Sequence, residues 1–151
     1  MNAQTTLTKT TSGISRVRVG ADVAQRWLSG LGLVLCALQV AFAALGFWGG
    51  YNNGGSRQAT ESAFEAHAIN GQILGVIAVL LLIAGLVSRA NHKAWAIPLV
   101  LAILLWAVQG LLVGLAFDSG RYFGFLHALD GMVITALFAW LLYDRVQHRL
   151  M

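Results

Sequence analysis

The sequence predicts an all-α membrane protein built as a bundle of four transmembrane helices. Of its 151 residues, 58% are hydrophobic and only 11% are charged, whereas soluble domains carry about a quarter charged residues. Four stretches are long and apolar enough to cross the roughly 30 Å hydrocarbon layer of a bilayer, at 27–49, 68–88, 94–117 and 123–143. The first three contain no Asp, Glu, Lys, Arg or His. The fourth is interrupted by His127 and Asp130, which makes these two residues the first candidates for function.

The regions outside these stretches are short and polar. Residues 1–25 end in a basic stretch, and we expect a cytoplasmic tail that is disordered because it has little apolar surface to bury. Residues 26–146 form the transmembrane domain and 147–151 a second cytoplasmic tail. The first apolar run is too long for the core of a signal peptide and predicts a retained helix.

Other classes of protein lack support in the sequence. The single cysteine, Cys36, lies within the first span, which excludes a disulfide framework and a CxxC metal site. Neither GxxxxGK[ST] nor GxGxxG occurs, so a nucleotide site has no motif behind it. The basic residues flank the apolar spans and form no patch for nucleic acid. The expected partner is therefore the lipid bilayer.

Basic residues also predict the orientation of the bundle, since they concentrate in cytoplasmic segments. Most of them lie in the two tails and in the loop between the second and third spans. The other two loops each carry one Arg and at least one carboxylate. We therefore predict a multi-pass protein of the inner or plasma membrane with both termini in the cytoplasm.

A five-residue pattern occurs twice, as HAING at 67–71 and HALDG at 127–131. The helix before each copy carries a glutamine, Gln39 or Gln109, followed eight residues later by a phenylalanine. This duplication predicts two helical hairpins with the same orientation. A pseudo-two-fold axis along the membrane normal would turn His67 and His127 toward each other at equal depth.

Two histidines at matched depth predict a haem or metal site, because neutral imidazole is a common ligand of both. Gly71 and Gly131 each lie four positions after a histidine, on the same helix face, and leave room for a flat macrocycle. Each ligating ring needs an acceptor for its other nitrogen, for which a backbone carbonyl, Gln39 or Gln109 could serve. Copper or zinc would need a third or fourth ligand.

Three further polar residues belong to the predicted site: Asn70, Asp130 and Glu65. An ionisable residue within a span is a functional candidate because its burial is costly, and Asp130 is one. Glu65 is the nearest candidate for a further metal ligand. The same residues are also explained by simple contacts between helices, each worth about 0.6 kcal/mol.

Two hairpins with a histidine at the outer end of the second and fourth helices resemble one half of the heme A synthase family, over residues 26–146. Those enzymes consist of two four-helix halves, each with a histidine pair, and one half holds a b-type haem. The resemblance implies that His67 and His127 are haem ligands. It does not extend to the oxygenase activity, because Ala68 follows His67 where that family has a His-Arg pair, and Glu65 precedes His67 by two positions instead of three. The chain also resembles small uncharacterised bacterial membrane proteins with four helices.

These observations predict a cytochrome b-like, haem b-binding membrane protein for electron transfer, or an accessory subunit of a membrane oxidoreductase. Its expected partners are quinone or that oxidoreductase, in a homo- or hetero-oligomer. Two alternatives stay open. One is a structural or assembly subunit without a cofactor, and the other is a small transporter or proton-relay protein that uses His127 and Asp130.

Overall fold

The structure is helical throughout the residues that it describes. The computed structural model describes residues 2–52 and 56–147, and no strand occurs within them. The elements in chain order are α1 (Asn2–Asn52), α2 (Arg57–Ala63), α3 (Glu65–Ser88), α4 (Lys93–Ile103), a π-helical turn (Leu104–Val108), α5 (Gln109–Ser119) and α6 (Arg121–Gln147).

Four helical stretches are long and apolar enough to cross a membrane, which confirms the predicted number of spans. They are Ser15–Asn52, Glu65–Ser88, Lys93–Phe117 and Arg121–Gln147. The third combines α4, the π-helical turn and α5. Apart from the start of the first span, every predicted boundary lies within about one helical turn of the observed one.

Helix α1 continues through the predicted boundary between tail and membrane domain at residue 25. Asp22 and Gln25 already bond to other parts of the bundle, so the boundary at residue 25 does not mark the start of a helix. The disorder expected for the N-terminal tail stays a prediction. Of the predicted C-terminal tail, 147–151, all but Gln147 lies outside the described residues.

Each span packs against the spans that precede and follow it in the chain, and α6 closes the bundle against α1. Helices α3 and α6 therefore lie on a diagonal, and among the described residues their backbones do not come close. The interior is a cluster of buried apolar side chains from all four spans: Cys36, Leu74, Ile77, Ala78, Leu81, Ile97, Leu101, Ile134, Phe138 and Leu141.

A proline, a glycine and a glutamine from three spans interlock at one end of this bundle. Pro98 lies inside α4 and has no N–H, so the carbonyl of Ala94 lacks its ordinary helical donor. The fully buried Gln25 supplies that donor, because its Nε2 donates to Ala94 O at 2.6 Å and also to Leu81 O at 3.1 Å. A β-carbon at Gly85 would overlap the Ala94 carbonyl oxygen, so glycine is required there.

A buried arginine joins the start of the membrane part of α1 to the end of α6. The side chain of Arg145 is fully buried and forms ion pairs with Asp22, at 3.1 Å, and with Asp144. It also donates to Asn91 Oδ1 at 3.2 Å. The same Asn91 oxygen accepts from the N–H of Ala94 at 2.9 Å, which caps α4. Sequence reasoning treated Arg145 only as one of the basic residues that set the orientation.

We predict that Gly85→Ala destabilises the bundle, because the new methyl group meets a backbone carbonyl that cannot move independently. Overpacking of this kind costs about 1–3 kcal/mol. Thermal unfolding of the protein in detergent, followed by circular dichroism, measures the change. Gly30→Ala is the matched control, since a β-carbon there meets no atom within 4 Å. Equal midpoints for the two variants would contradict the packing described here.

We predict a larger loss of stability for Arg145→Met, because the substitution removes the cation that pairs with Asp22 and the donor to Asn91 from a fully buried position. Removing one partner of a buried ion pair typically costs about 3–5 kcal/mol. Arg18, on an exposed face of α1, provides the control Arg18→Met. A double variant with Asp22→Asn should lose less than the sum of the two single changes, and strict additivity would argue against the ion pair.

Candidate functional site

His67 is held by one residue of the neighbouring helix. Its Nδ1 lies 3.1 Å from the backbone carbonyl oxygen of Gln39, and because a carbonyl only accepts, Nδ1 carries the proton and donates. The Gln39 side chain donates in turn from Nε2 to the His67 carbonyl, at 3.0 Å. The ring edge also meets Phe64, with centroids 5.9 Å apart. This arrangement fixes the tautomer and leaves Nε2 as the nitrogen with a lone pair.

Asn70 completes this half of the site and is only 4% exposed. Its Nδ2 donates to the backbone carbonyl of Leu35 at 3.0 Å and to Oε1 of Gln39. Three atoms of Gln39 therefore form hydrogen bonds that join α1 to α3: its backbone oxygen, its side-chain oxygen and its side-chain nitrogen. A predicted site residue thus proves to support the helix pair that carries His67.

The fourth span presents the corresponding residues, but with fewer bonds. Gln109 Nε2 donates to the His127 carbonyl at 3.1 Å, as Gln39 does for His67. Nδ1 of His127 is buried and forms no hydrogen bond, although the Gln109 backbone approaches this ring. Oδ2 of Asp130 is also buried without a partner, and the Gln109 side chain approaches the same carboxyl group.

The two histidine rings meet across the diagonal of the bundle. Their centroids are 6.1 Å apart and their planes are inclined by 55°. Two imidazoles on opposite sides of one metal ion have centres about 6 Å apart, since metal–nitrogen bonds are about 2.0–2.1 Å and each nitrogen lies about 1 Å from its ring centre. A direct N–H···N bond of about 3 Å would bring the centres to about 5 Å. The observed spacing is therefore longer than a direct hydrogen bond between the two rings allows.

Gly71 and Gly131 border the glutamine side chains. A β-carbon at Gly71 would lie 3.4 Å from Gln39 Nε2, and one at Gly131 would lie 4.0 Å from Gln109 Nε2. Both separations are ordinary contacts, so the glutamines alone do not require glycine. The room for a flat ligand that the sequence predicts beside each histidine stays a prediction.

Glu65 lies in the first turn of α3 and is exposed. Within the described residues, no group of three or more His, Cys, Asp or Glu side chains lies close enough to hold a metal ion.

Two contributors to the site were not predicted from the sequence. A pattern of side chains in the sequence cannot indicate that the backbone carbonyl of Leu35 accepts a hydrogen bond. Phe64 packs so closely on α1 that a β-carbon at Gly46 would lie 2.7 Å from its ring, but Gly124 stands 60 positions after Phe64, so the duplication gave no signal for an aromatic residue.

Comparison with protein-family models, with curated proteins and with solved structures finds no match to this chain. The relation to half of heme A synthase therefore stays an expectation based on the histidine pattern and the order of the spans.

We predict that Asn70→Ala destabilises the α1–α3 pair by about 1 kcal/mol, since two interhelical hydrogen bonds of about 0.6 kcal/mol each are lost. Gln72→Ala, two positions along the helix at an exposed site, should leave stability unchanged. Unfolding in detergent with increasing SDS would measure both variants. An Asn70→Ala protein as stable as the control would show that these bonds contribute nothing.

Proposed function

We propose that this chain binds one haem b between His67 and His127 and transfers single electrons within a membrane. The observation that supports this most directly is the 6.1 Å separation of the two ring centroids, which suits two axial ligands of one iron. The haem would supply the one-electron redox chemistry. The protein would position the group, exclude water and adjust its potential.

The residues around the histidines fit such a group. A ligating histidine normally donates its second ring nitrogen to a carbonyl or a carboxylate, and His67 donates Nδ1 to the Gln39 carbonyl. Its Nε2 remains available for coordination. Both histidines lie within apolar spans, where an unligated polar ring is unfavourable.

We also infer that the two halves of the bundle are repeats with the same orientation. The bonds from Gln39 to His67 and from Gln109 to His127 join equivalent pairs of residues. A second equivalence links the interfaces between the halves. Trp106 covers Gly75, where a β-carbon would lie 2.8 Å from the indole, and the residues in the matching positions, Cys36 and Thr135, also contact each other.

The proposal places the protein in an inner or plasma membrane with both termini in the cytoplasm, following the distribution of basic residues. The histidine pair would then lie near the outer face. Electrons would pass between quinone, or a membrane oxidoreductase, and an acceptor on that face. The chain would serve as an accessory subunit in a homo- or hetero-oligomer.

A structural subunit without a cofactor is the alternative that a specific observation favours. Gln39 and Gln109 already join the helices within each hairpin, and these contacts need no ligand. However, this alternative assigns the histidines to holding α3 and α6 together, and their ring spacing is too long for a direct hydrogen bond between them.

We predict that the purified protein, supplemented with haem, shows a Soret band and a narrow α-band after reduction with dithionite. His67→Ala and His127→Ala should each weaken both bands strongly, because each removes one axial ligand. His92→Ala is the matched control, since His92 is exposed in the loop between α3 and α4, and its spectrum should equal that of the unmodified protein.

Absence of a Soret band after haem addition, or equal spectra in all three variants, would sink the proposal. The structural alternative predicts that outcome together with modestly lowered melting temperatures for His67→Ala and His127→Ala. Circular dichroism of the same samples separates loss of haem from loss of the fold.

A further inference from the structure

The two halves of the histidine site differ in how completely their polar groups are paired. His67 and Asn70 in the second span find partners on α1, at Gln39 and Leu35. In the fourth span, Nδ1 of His127 and Oδ2 of Asp130 are both buried, and among the described residues neither has a hydrogen-bond partner of good geometry. The Gln109 backbone approaches the ring, and the Gln109 side chain approaches the carboxyl group. Buried polar atoms without partners are rare, and each one indicates a bond or a ligand that has yet to form.

The chemistry of the two unpaired atoms is complementary. An imidazole Nδ1–H donates, and a carboxylate oxygen accepts. His127 and Asp130 are three positions apart in one helix, where side chains are neighbours with β-carbons about 5–6 Å apart. Rotation of the carboxylate, or one bridging water, would pair both atoms in a single step.

Among the described residues, the other half does not form the equivalent bond. Asn70 uses its amide as a donor to Leu35 and Gln39, and the Nδ1 of His67 is already engaged by the Gln39 carbonyl. An ionised Asp130 has no hydrogen to donate, so it cannot copy the bonds of Asn70. At equivalent positions of the two halves, Asn70 is thus a donor that bridges two helices, whereas Asp130 is an acceptor beside a histidine.

The surroundings of His127 also leave more room than those of His67. Phe64 covers the His67 ring, whereas the residue 60 positions later is Gly124. Among the described residues, a β-carbon there would find only Ala116 Cβ, at 4.0 Å. A bridging water needs space and at least two polar partners, and this half of the site offers both.

From these contacts we propose that Asp130 is the positioning residue of His127, accepting the Nδ1–H of its ring directly or through one water. This inference rests on the proposed function where it concerns haem. The two axial histidines would then be unequal, one donating to a carbonyl and the other to a carboxylate. A carboxylate makes the ring a stronger electron donor, which stabilises the oxidised iron and lowers the reduction potential.

The first test uses the protein without haem. ¹⁵N-labelled histidine in detergent-solubilised protein reports which ring nitrogen carries the proton, and the variant His127→Gln identifies the signals of His127. Asp130→Asn should fold, because Asn70 occupies the equivalent position, and its amide should turn to Gln109 as Asn70 turns to Gln39. We expect the ratio of the Nδ1–H to the Nε2–H form of His127 to fall on the order of tenfold.

Gln72→Ala, at an exposed position of α3, is the control and should leave the His67 and His127 signals unchanged. An identical His127 tautomer ratio in Asp130→Asn and in the unmodified protein would overturn the inference, whatever the haem experiment gives.

The second test measures the midpoint potential of the haem-loaded protein. Asp130→Asn should increase the ratio of reduced to oxidised haem at a fixed potential on the order of tenfold, a rise of about 59 mV for a one-electron couple. If Asp130→Asn shows a Soret band with an unchanged midpoint potential, the proposed effect of Asp130 on the potential of the iron is overturned. A shifted tautomer ratio without any Soret band would support the His127–Asp130 bond and refute the proposed function.

Discussion

The whole structure depends on the need of a membrane protein to pair its polar groups within the chain, since the hydrocarbon layer offers no water to bond them. Glutamine side chains meet this need at three places. Gln25, Gln39 and Gln109 each donate from Nε2 to a backbone carbonyl of a neighbouring span. Each bond therefore fixes the position of one helix along the membrane normal relative to another helix. Apolar packing alone specifies this position weakly in lipid.

These bonds divide the bundle into two polar layers with an apolar centre. Arg145 with its acidic partners lies at one end of α6 and His127 lies near the other, about 27 Å apart at 1.5 Å per residue. That separation is close to the thickness of the hydrocarbon layer. Only apolar and small side chains are buried between the layers, where Phe138 and its neighbours interdigitate. The charged layer lies at one end of the bundle, and the histidines lie at the opposite end.

The candidate site is largely readable from the duplicated pattern. The sequence predicted that His67 and His127 lie together because the same five-residue pattern recurs in the second and fourth spans, and the two rings do meet. It also identified Gln39 as a possible partner of a histidine, although it is the backbone of Gln39 that accepts from the ring. Which atom of a residue forms a bond depends on how one helix is rotated against the next. Helical periodicity predicts which side chains face the neighbouring helix, but not which of their atoms form the bond.

The sequence by itself determined the membrane setting and the four spans, because apolar runs of about 20 residues satisfy their backbone bonds only as transmembrane helices. It also determined the identity of the paired histidines through the repeat. Only the tertiary structure decided that Arg145 is buried, that Gln25 replaces the donor missing at Pro98, and that Asp130 and His127 lack the bonds of Asn70 and His67. Those features arise between residues far apart in the chain, and they exist only once the helices have taken their places around the bundle.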